Sequence, residues 1–545
     1  MTRNTFKILL LAAGISVFGS CQKKFEQYTQ NLNQPTTVPP SQLLRTVLAD
    51  MYVAPFGQEE RNDQFTCSNY DYYDNNLYWD GTKHSQYATL NYQTLFNVLN
   101  MEASAFSLAN AAQPSGGGDP KNNPYAAMGK FFRAWFFVNN SLKVGDLPMT
   151  QALEGSSNLT PKYDTQKQIF IQSNLWLDSA NTIMAAAIAN GGYEFSGDSY
   201  FADFMSSGDA LKKWQKAINT FRLRVLIELS KKASDADLNV AGQFASILGN
   251  PAKYPIMTSM DDNLEFHYNT QYNKYPNNNE VYGTQSTRYN MAAAYTDSLA
   301  SFKDLRVMMT AEPARGLGHS DTSYASFKGA NTGLDLSVMA GGIANSNTAN
   351  VYSLINRHRY YETLVGEPTF ILSYPEMCFN IAEGITRGWA TGNAEQWYQT
   401  GIYADFGFYG VVDGSNTVIF QQPSGTLGQD ITYTVPFSYS GYYNQALVKY
   451  DAANPAHALE QVLEQKYLAL FRNSGLEAYF QWRRTGVPGF LQGSDQVGYG
   501  NGGSIPLRFQ YPQTEATTNA TNYTGAIQSQ YGGNDNINQA MWLIK

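Results

Sequence analysis

The chain has 545 residues, 43% of them hydrophobic and only 15% charged, and carries a formal net charge of −8 at pH 7. That length accommodates two to four average domains or one large one, and an acidic balance with no Lys/Arg-rich block argues against nucleic acid as a partner. Polarity comes from Asn, Gln, Ser, Thr and 38 tyrosines rather than from ions, a composition suited to neutral, hydroxyl-rich ligands.

At the amino terminus Arg3 and Lys7 lead into an apolar run from Ile8 to Phe18, which ends at Gly19-Ser20-Cys21. The run is shorter than the ~20 apolar residues a permanent span needs, and small residues before the Cys suit a signal peptidase. Cys21 directly after Gly-Ser is the pattern of a bacterial lipoprotein signal, with the thiol taking lipid. An ordinary secretory signal with an incidental Cys is the other reading. Lipid chains anchor firmly when more than one is present, at ~0.8 kcal/mol per buried methylene. Residues 1–20 are therefore expected to be a signal peptide. Residues 21–40 are expected to be a lipidated tether ending at Pro35, Pro39 and Pro40. No later segment is long and apolar enough to span a membrane.

Helical periodicity dominates the rest of the chain and predicts helices over 41–54, 85–112, 124–142, 165–189, 210–233, 290–302, 370–388, 391–405 and 458–484. Between them, 56–83, 113–123, 267–289, 310–350, 407–450 and 487–540 read as irregular and rich in Gly, Asn, Tyr and Pro. Loops of such length are uncommon unless they serve a function. Residues 374–402, "YPEMCFNIAEGITRGWATGNAEQWYQTGI", read as one helix-turn-helix unit. Ile381, Ala382 and Ile385 face inward, Gly388 to Gly392 turn, and Trp397 continues on the second helix. The pattern resembles a tetratricopeptide repeat, without a clean 34-residue period along the chain. The fold expected is mostly α, a helical scaffold with long decorated loops.

Two of those loops carry the chemistry. The stretch "NYDYYDNNLYWDG" gathers Tyr70, Tyr72, Tyr73, Asp74, Asn76, Tyr78 and Trp79, and "YNTQYNKYPNNNEVYGTQSTRY" gathers Tyr272, Tyr275, Tyr282 and Arg288. A sugar offers a C–H face that a flat ring covers and a rim of hydroxyls that Asn, Asp and Arg bond. The same tyrosines could instead pack the loops onto the scaffold, so these residues mark a neighbourhood.

Metal and catalytic signatures are sparse. His84, His267, His319, His358 and His457 show no zinc-type His spacing, and each reads as a surface or hydrogen-bonding residue. No cofactor is expected. Asp71, Asp74, Asn75, Asn76 and Asp80 supply oxygens that calcium would accept, off the EF-hand spacing. No nucleophile elbow, Walker loop or dinucleotide fingerprint occurs. The acidic pairs Glu59-Glu60 and Asp261-Asp262 leave a two-carboxylate glycosidase formally open. Cys67 and Cys378 lie too far apart for sequence to pair them, and Cys378 fits a buried helical position.

Several blocks in one order resemble the SusD/RagB family of surface lipoproteins, especially its SusD-like branch. They are "NLNQPT" after Cys21, "GDALKKWQKAINTFRLRVLIELS" at 208–230, "PIMTSMDDNLEFHY" at 255–268, and "KDLRV" at 303–307 with Leu305 where the family has Pro. "SYPEMCFNIAEGITRGW" at 373–389, "LEQKYLALFRNSGLEAYFQWRRTGVP" at 463–488 and "LRFQYPQTEATTN" at 507–519 complete the set. Gln22-Lys23-Lys24 departs from the acidic residues that often follow the family's Cys. Trp214, Phe221, Leu223 and Leu226 are expected to pack the scaffold. Arg222, Arg224, Arg483, Arg484 and Arg508 are expected to satisfy helix carboxyl ends or to pair with Glu383 and Glu477. The resemblance implies one SusD-like domain over 41–545 and a non-catalytic, lipid-anchored protein of the outer membrane, displayed at the cell surface. It would capture oligosaccharide and deliver it to a TonB-dependent transporter of the SusC type. Ligand contacts would come from loops in the early region and after the central signature. Peptide capture of the RagB type and a surface glycosidase are the alternatives.

Overall fold

A computed structural model describes residues 38–53, 67–69, 88–110, 122–191, 195–286, 289–343, 350–423, 426–471 and 474–545. The predicted helices are present with shifted ends: Pro40–Val53, Tyr92–Asn110, Pro124–Val144, Gln166–Asn190, Ser207–Glu228, Ala293–Ser301, Tyr374–Thr386 and Ala394–Phe408. Their starts are set by local chemistry. The Asn123 side chain accepts the Tyr125 N–H ahead of Pro124, and Thr165 and Gln168 form a reciprocal capping box. Ser206, Ser373, Asn393 and Asn454 cap later helices in the same way.

The stretch predicted as one helix over 458–484 is two, Pro455–Ala469 and Glu477–Thr485, with Gly475 at φ 65° just before the second. Among the elements not anticipated, which include the short helices Arg306–Thr310 and Arg357–Tyr361, three are larger. The helix Val240–Gly249 follows the central signature, Ala520–Tyr531 lies within the carboxyl-terminal stretch, and a hairpin of two eight-residue strands occupies part of 407–450. The described strands are β1 (Cys67–Asn69), β2 (Leu264–Phe266), β3 (Tyr289–Met291), β4 (Thr369–Leu372), β5 (Gly414–Gln421) and β6 (Asp430–Phe437). β2 pairs antiparallel with β4, and in the hairpin β5 pairs antiparallel with β6, Gly414 opposite Phe437 and Gln421 opposite Asp430.

Helices pack against one another in two groups: 124–144 on 166–190, then 207–228, and separately 374–386 on 394–408 and on 455–469. The unit predicted over 374–402 forms this pair, with Gly388 at φ 77° in the turn. The scaffold is mostly helical, built from tetratricopeptide-like helix pairs. Its aromatic centre is continuous. Trp214 is fully buried among Phe131, Phe132 and Phe201, and Trp135 lies 4.5 Å from Phe221 between ring centroids. Cys378 is buried and free, as its helical position implied.

The arginines of the recognised blocks are structural. Arg224 grips Glu376 at 2.7 and 2.5 Å and reaches Glu477 at 3.2 Å. Burial pushes Glu477 up, to about 7, whereas the bidentate Arg224 contact outweighs burial at Glu376 and holds it low. Arg484 holds Glu383 at 2.5 and 3.0 Å. Arg483 donates to the Leu142 carbonyl at the end of 124–144, Arg222 pairs with Asp178, and Arg508 pairs with Asp535.

Burial raises the Glu383 carboxyl, but Arg484, aided by Arg387, outweighs it and brings the group to about 2. A carboxyl whose folded pKa lies below its unfolded value stabilises the fold above that unfolded value, about 4.5. The contribution, on the order of 3 kcal/mol, is lost as pH falls through the folded one. Glu383→Gln is expected to lower the urea midpoint at pH 6 and to converge with the wild type near pH 2. Parallel curves across that range would refute the assignment.

Candidate ligand-binding face

Two short strands at the ends of the aromatic stretches pair with each other. β1 (Cys67–Asn69) pairs antiparallel with β3 (Tyr289–Met291), Cys67 opposite Met291 and Asn69 opposite Tyr289. Asn69, the first residue of one aromatic stretch, thus lies opposite Tyr289, the last residue of the other. About 220 residues separate the two strands in sequence, yet the backbone ladder leaves both stretches a common root. β3 is fastened further by the Met291 N–H to the Ser353 carbonyl, at 2.8 Å. Asn290 beside it is buried with no partner for either side-chain amide atom.

Tyr70, Tyr72, Tyr73, Asp74, Asn76, Tyr78, Trp79 and Arg288 lie outside the described residues, as do Cys21 and the oxygen-rich positions Asp71, Asn75 and Asp80. The three other expected residues separate by environment. Asn269 folds the turn: its side-chain oxygen accepts the N–H groups of Gln271 and Tyr272 at 2.9 and 2.8 Å. That turn leaves Tyr272 88% exposed, a ring with both faces open.

Tyr275 is a correction to the sequence reading. It is 1% exposed because its N–H pairs with the Leu364 carbonyl at 2.7 Å and turns the ring inward, edge-on to Tyr268 at 5.0 Å. Gly366, at φ 54°, lies so close that a Cβ there would sit 2.2 Å from the Tyr275 ring. Tyr282, half-buried, packs edge-on to Tyr361 at 5.8 Å, and its hydroxyl meets the Gln421 amide and Arg357. Arg357 is itself buried and bonded to Glu312 at 2.9 and 2.5 Å. Tyr282 therefore anchors the loop, and Tyr272 is the described ring of the three that a ligand can cover.

Polar groups missed in sequence stand close by in the chain's contacts. Arg315 pairs with Asp321 at 3.0 Å and reaches the Gln421 carbonyl at 3.2 Å, and the Tyr433 hydroxyl donates to Asp321 at 3.0 Å. His358 meets Glu362 and Asp430. Each group joins a short segment to the distant β5–β6 hairpin, and sequence spacing alone shows only the four-residue step from His358 to Glu362. Asp262, from one acidic pair, is committed to Lys216 and the Thr258 backbone at 2.7 and 2.8 Å. His267 and His457 each pair with a carboxylate, Glu265 and Asp451, and His319 is exposed. No described helix is long and apolar enough to cross a membrane.

A mostly helical scaffold of tetratricopeptide-like pairs joined by long irregular segments defines the class of fold. A family model described as starch-binding, associating with the outer membrane, matches residues 32–512, and the chain belongs to this SusD-like family. Among solved structures it is similar to a SusD homologue of Bacteroides fragilis, at 25% identity and a TM-score of 0.75. That match covers 93% of this chain and 100% of the other. A second SusD homologue of the same organism shares 27% identity at a TM-score of 0.71, with the same coverage of both chains. A chitin-binding protein shares the fold at 21% identity and a TM-score of 0.68, covering 93% of this chain and 100% of that one. No curated protein matches the chain in sequence.

Proposed function

We propose that this protein is a lipid-anchored, cell-surface binding protein of the outer membrane. It captures oligosaccharide on the face rooted at the β1–β3 ladder and passes it to a TonB-dependent transporter of the SusC type. The observation that carries the reading is the pairing of Asn69 with Tyr289, which gives two aromatic, Asn/Asp-rich stretches a common root. Family membership supports binding of a glycan, and Cys21 supplies the acceptor for the anchor. Rings cover the apolar faces of the sugar, amides and carboxylates bond its hydroxyls, and no covalent step is required.

The test is a retention screen of the full-length protein in detergent against a polysaccharide panel and a peptide mixture. Tyr73→Ala, Tyr78→Ala and Trp79→Ala combined should weaken glycan binding by more than about thirtyfold, the scale of one buried aromatic anchor. Tyr272→Ala should weaken it about fivefold, near 1 kcal/mol for a ring contact, with an unchanged melting temperature. Peptide retention with no glycan signal would overturn the reading.

A further inference from the structure

We propose that His358, Glu362 and Asp430 form a site for a divalent transition-metal ion, zinc being the best match. Bound there, the ion would tie the β5–β6 hairpin to the helix Arg357–Tyr361. The proposal does not depend on what the protein carries.

His358, the second residue of that helix, and Glu362, the residue that caps its end, stand four residues apart, so their side chains share one face. Asp430, the first residue of β6, meets them from the hairpin. His358 Nδ1 lies 2.9 Å from Asp430 Oδ2 and 3.1 Å from Glu362 Oε2, and the three ligand atoms lie within 4.8 Å of one another. Among the described residues no other group of three His, Cys, Asp or Glu side chains converges in this way.

Two features favour a metal over a simple ion pair. The ring nitrogen holds at most one proton and donates it along one direction, yet two carboxylates converge on it. Moreover, among the described residues the ion pairs made by Glu362 and Asp430 are with His358 alone. The neighbouring cations are committed elsewhere: Arg357 to Glu312, Arg359 to Glu367 and Arg315 to Asp321. Two carboxylates drawn together without a fixed cation repel, and an ion at their centre would remove that cost.

Ligand distances of ~2.0–2.2 Å would turn the two N–O separations into angles of roughly 90° at the ion. One imidazole nitrogen with two carboxylate oxygens suits zinc and its neighbours, whereas calcium and magnesium take oxygen sets. The side chains are 26%, 44% and 19% exposed for His358, Glu362 and Asp430, so an ion can reach them and water can fill its remaining positions. The effect would extend to the ligand-binding face. The Glu362 carbonyl accepts the Asn279 side-chain amide at 3.2 Å, and the Leu364 carbonyl accepts the Tyr275 N–H. Fixing Glu362 would brace the loop that presents Tyr272.

The experiment uses untagged full-length protein in detergent, stripped with chelator and dialysed against zinc chloride or calcium chloride, with metal measured by mass spectrometry. One zinc per chain is expected, in preference to calcium. His358→Ala and Asp430→Asn should each weaken it by at least about tenfold, since even second-shell losses reach that size. His457→Ala, whose ring pairs only with Asp451, should leave the stoichiometry unchanged. Wild-type protein that takes up no zinc would overturn the proposal, as would zinc binding unaltered in both His358→Ala and Asp430→Asn. Melting temperatures of the stripped variants near the wild-type value would verify that the loss is one of ligands and not of fold.

Discussion

Arg306→Met is expected to destabilise the protein by about 3–5 kcal/mol, the cost of leaving buried charges without their partner. Arg306 is 1% exposed and holds Asp304 and Asp405 at 2.6 Å each, with Gln465 at 2.9 Å and the Phe406 ring 4.7 Å from its guanidinium carbon. These partners lie on the segment after helix Ala293–Ser301, on Ala394–Phe408 and on Pro455–Ala469. One guanidinium thus fastens the part that carries β3 to the helix-pair scaffold. The loss should depend on pH in a definite direction. Burial already raises Asp405 to about 6 against the pull of Arg306, so removing the cation raises it further. An acid whose folded pKa exceeds its unfolded value costs stability above the folded value, and the cost vanishes below the unfolded one. Guanidinium denaturation of the full chain should therefore show a larger deficit at pH 8 than at pH 4. Adding Asp405→Asn should recover part of it at pH 8. A deficit under 1 kcal/mol at pH 8 would show that the cluster does not join the two parts.

The second large effect is at Trp214, where Ala should cost about 3–5 kcal/mol, because a fully buried indole leaves a cavity its neighbours cannot fill. Phe131, Phe132, Phe201 and Tyr200 surround it edge-on at centroid distances from 5.5 to 6.5 Å. Its N–H donates to Asp198 at 2.8 Å. Trp214→Phe keeps most of the packing and removes that one donor, so about 1–3 kcal/mol is expected. The lower end is favoured because Asp198 still accepts the N–H groups of Tyr200, Phe201 and Ala202 at 3.0, 3.2 and 3.0 Å. Equal losses for Phe and Ala, measured by urea midpoints, would assign the effect to the hydrogen bond instead of the cavity.

Much of the scaffold was legible because its signals are local. A cap, a proline at the first turn and a 3.6-residue apolar period all act within a few residues, and 124–144, 166–190 and 374–408 follow from them. The hairpin was legible in part: "DITYTV" alternates polar and apolar residues, whereas "SNTVIF" runs three polar then three apolar, although β5 buries Asn416, Val418 and Phe420 in turn. Its many Gly and Tyr neighbours masked that period. The binding neighbourhood was readable as composition, whereas the role of each ring was not. Tyr272 and Tyr275 are three residues apart in one loop, and only the bond from Tyr275 to Leu364 turns one inward and leaves the other in solvent.

The sequence by itself determined the helical class, the helix starts, the family blocks and the two aromatic stretches, since each depends on neighbours along the chain. Tertiary structure alone decided that Asn69 meets Tyr289, that Arg306 joins three segments, and that Asp430 comes to His358. Those meetings are set by how helices and strands pack across the core, where separation along the chain no longer limits which residues touch.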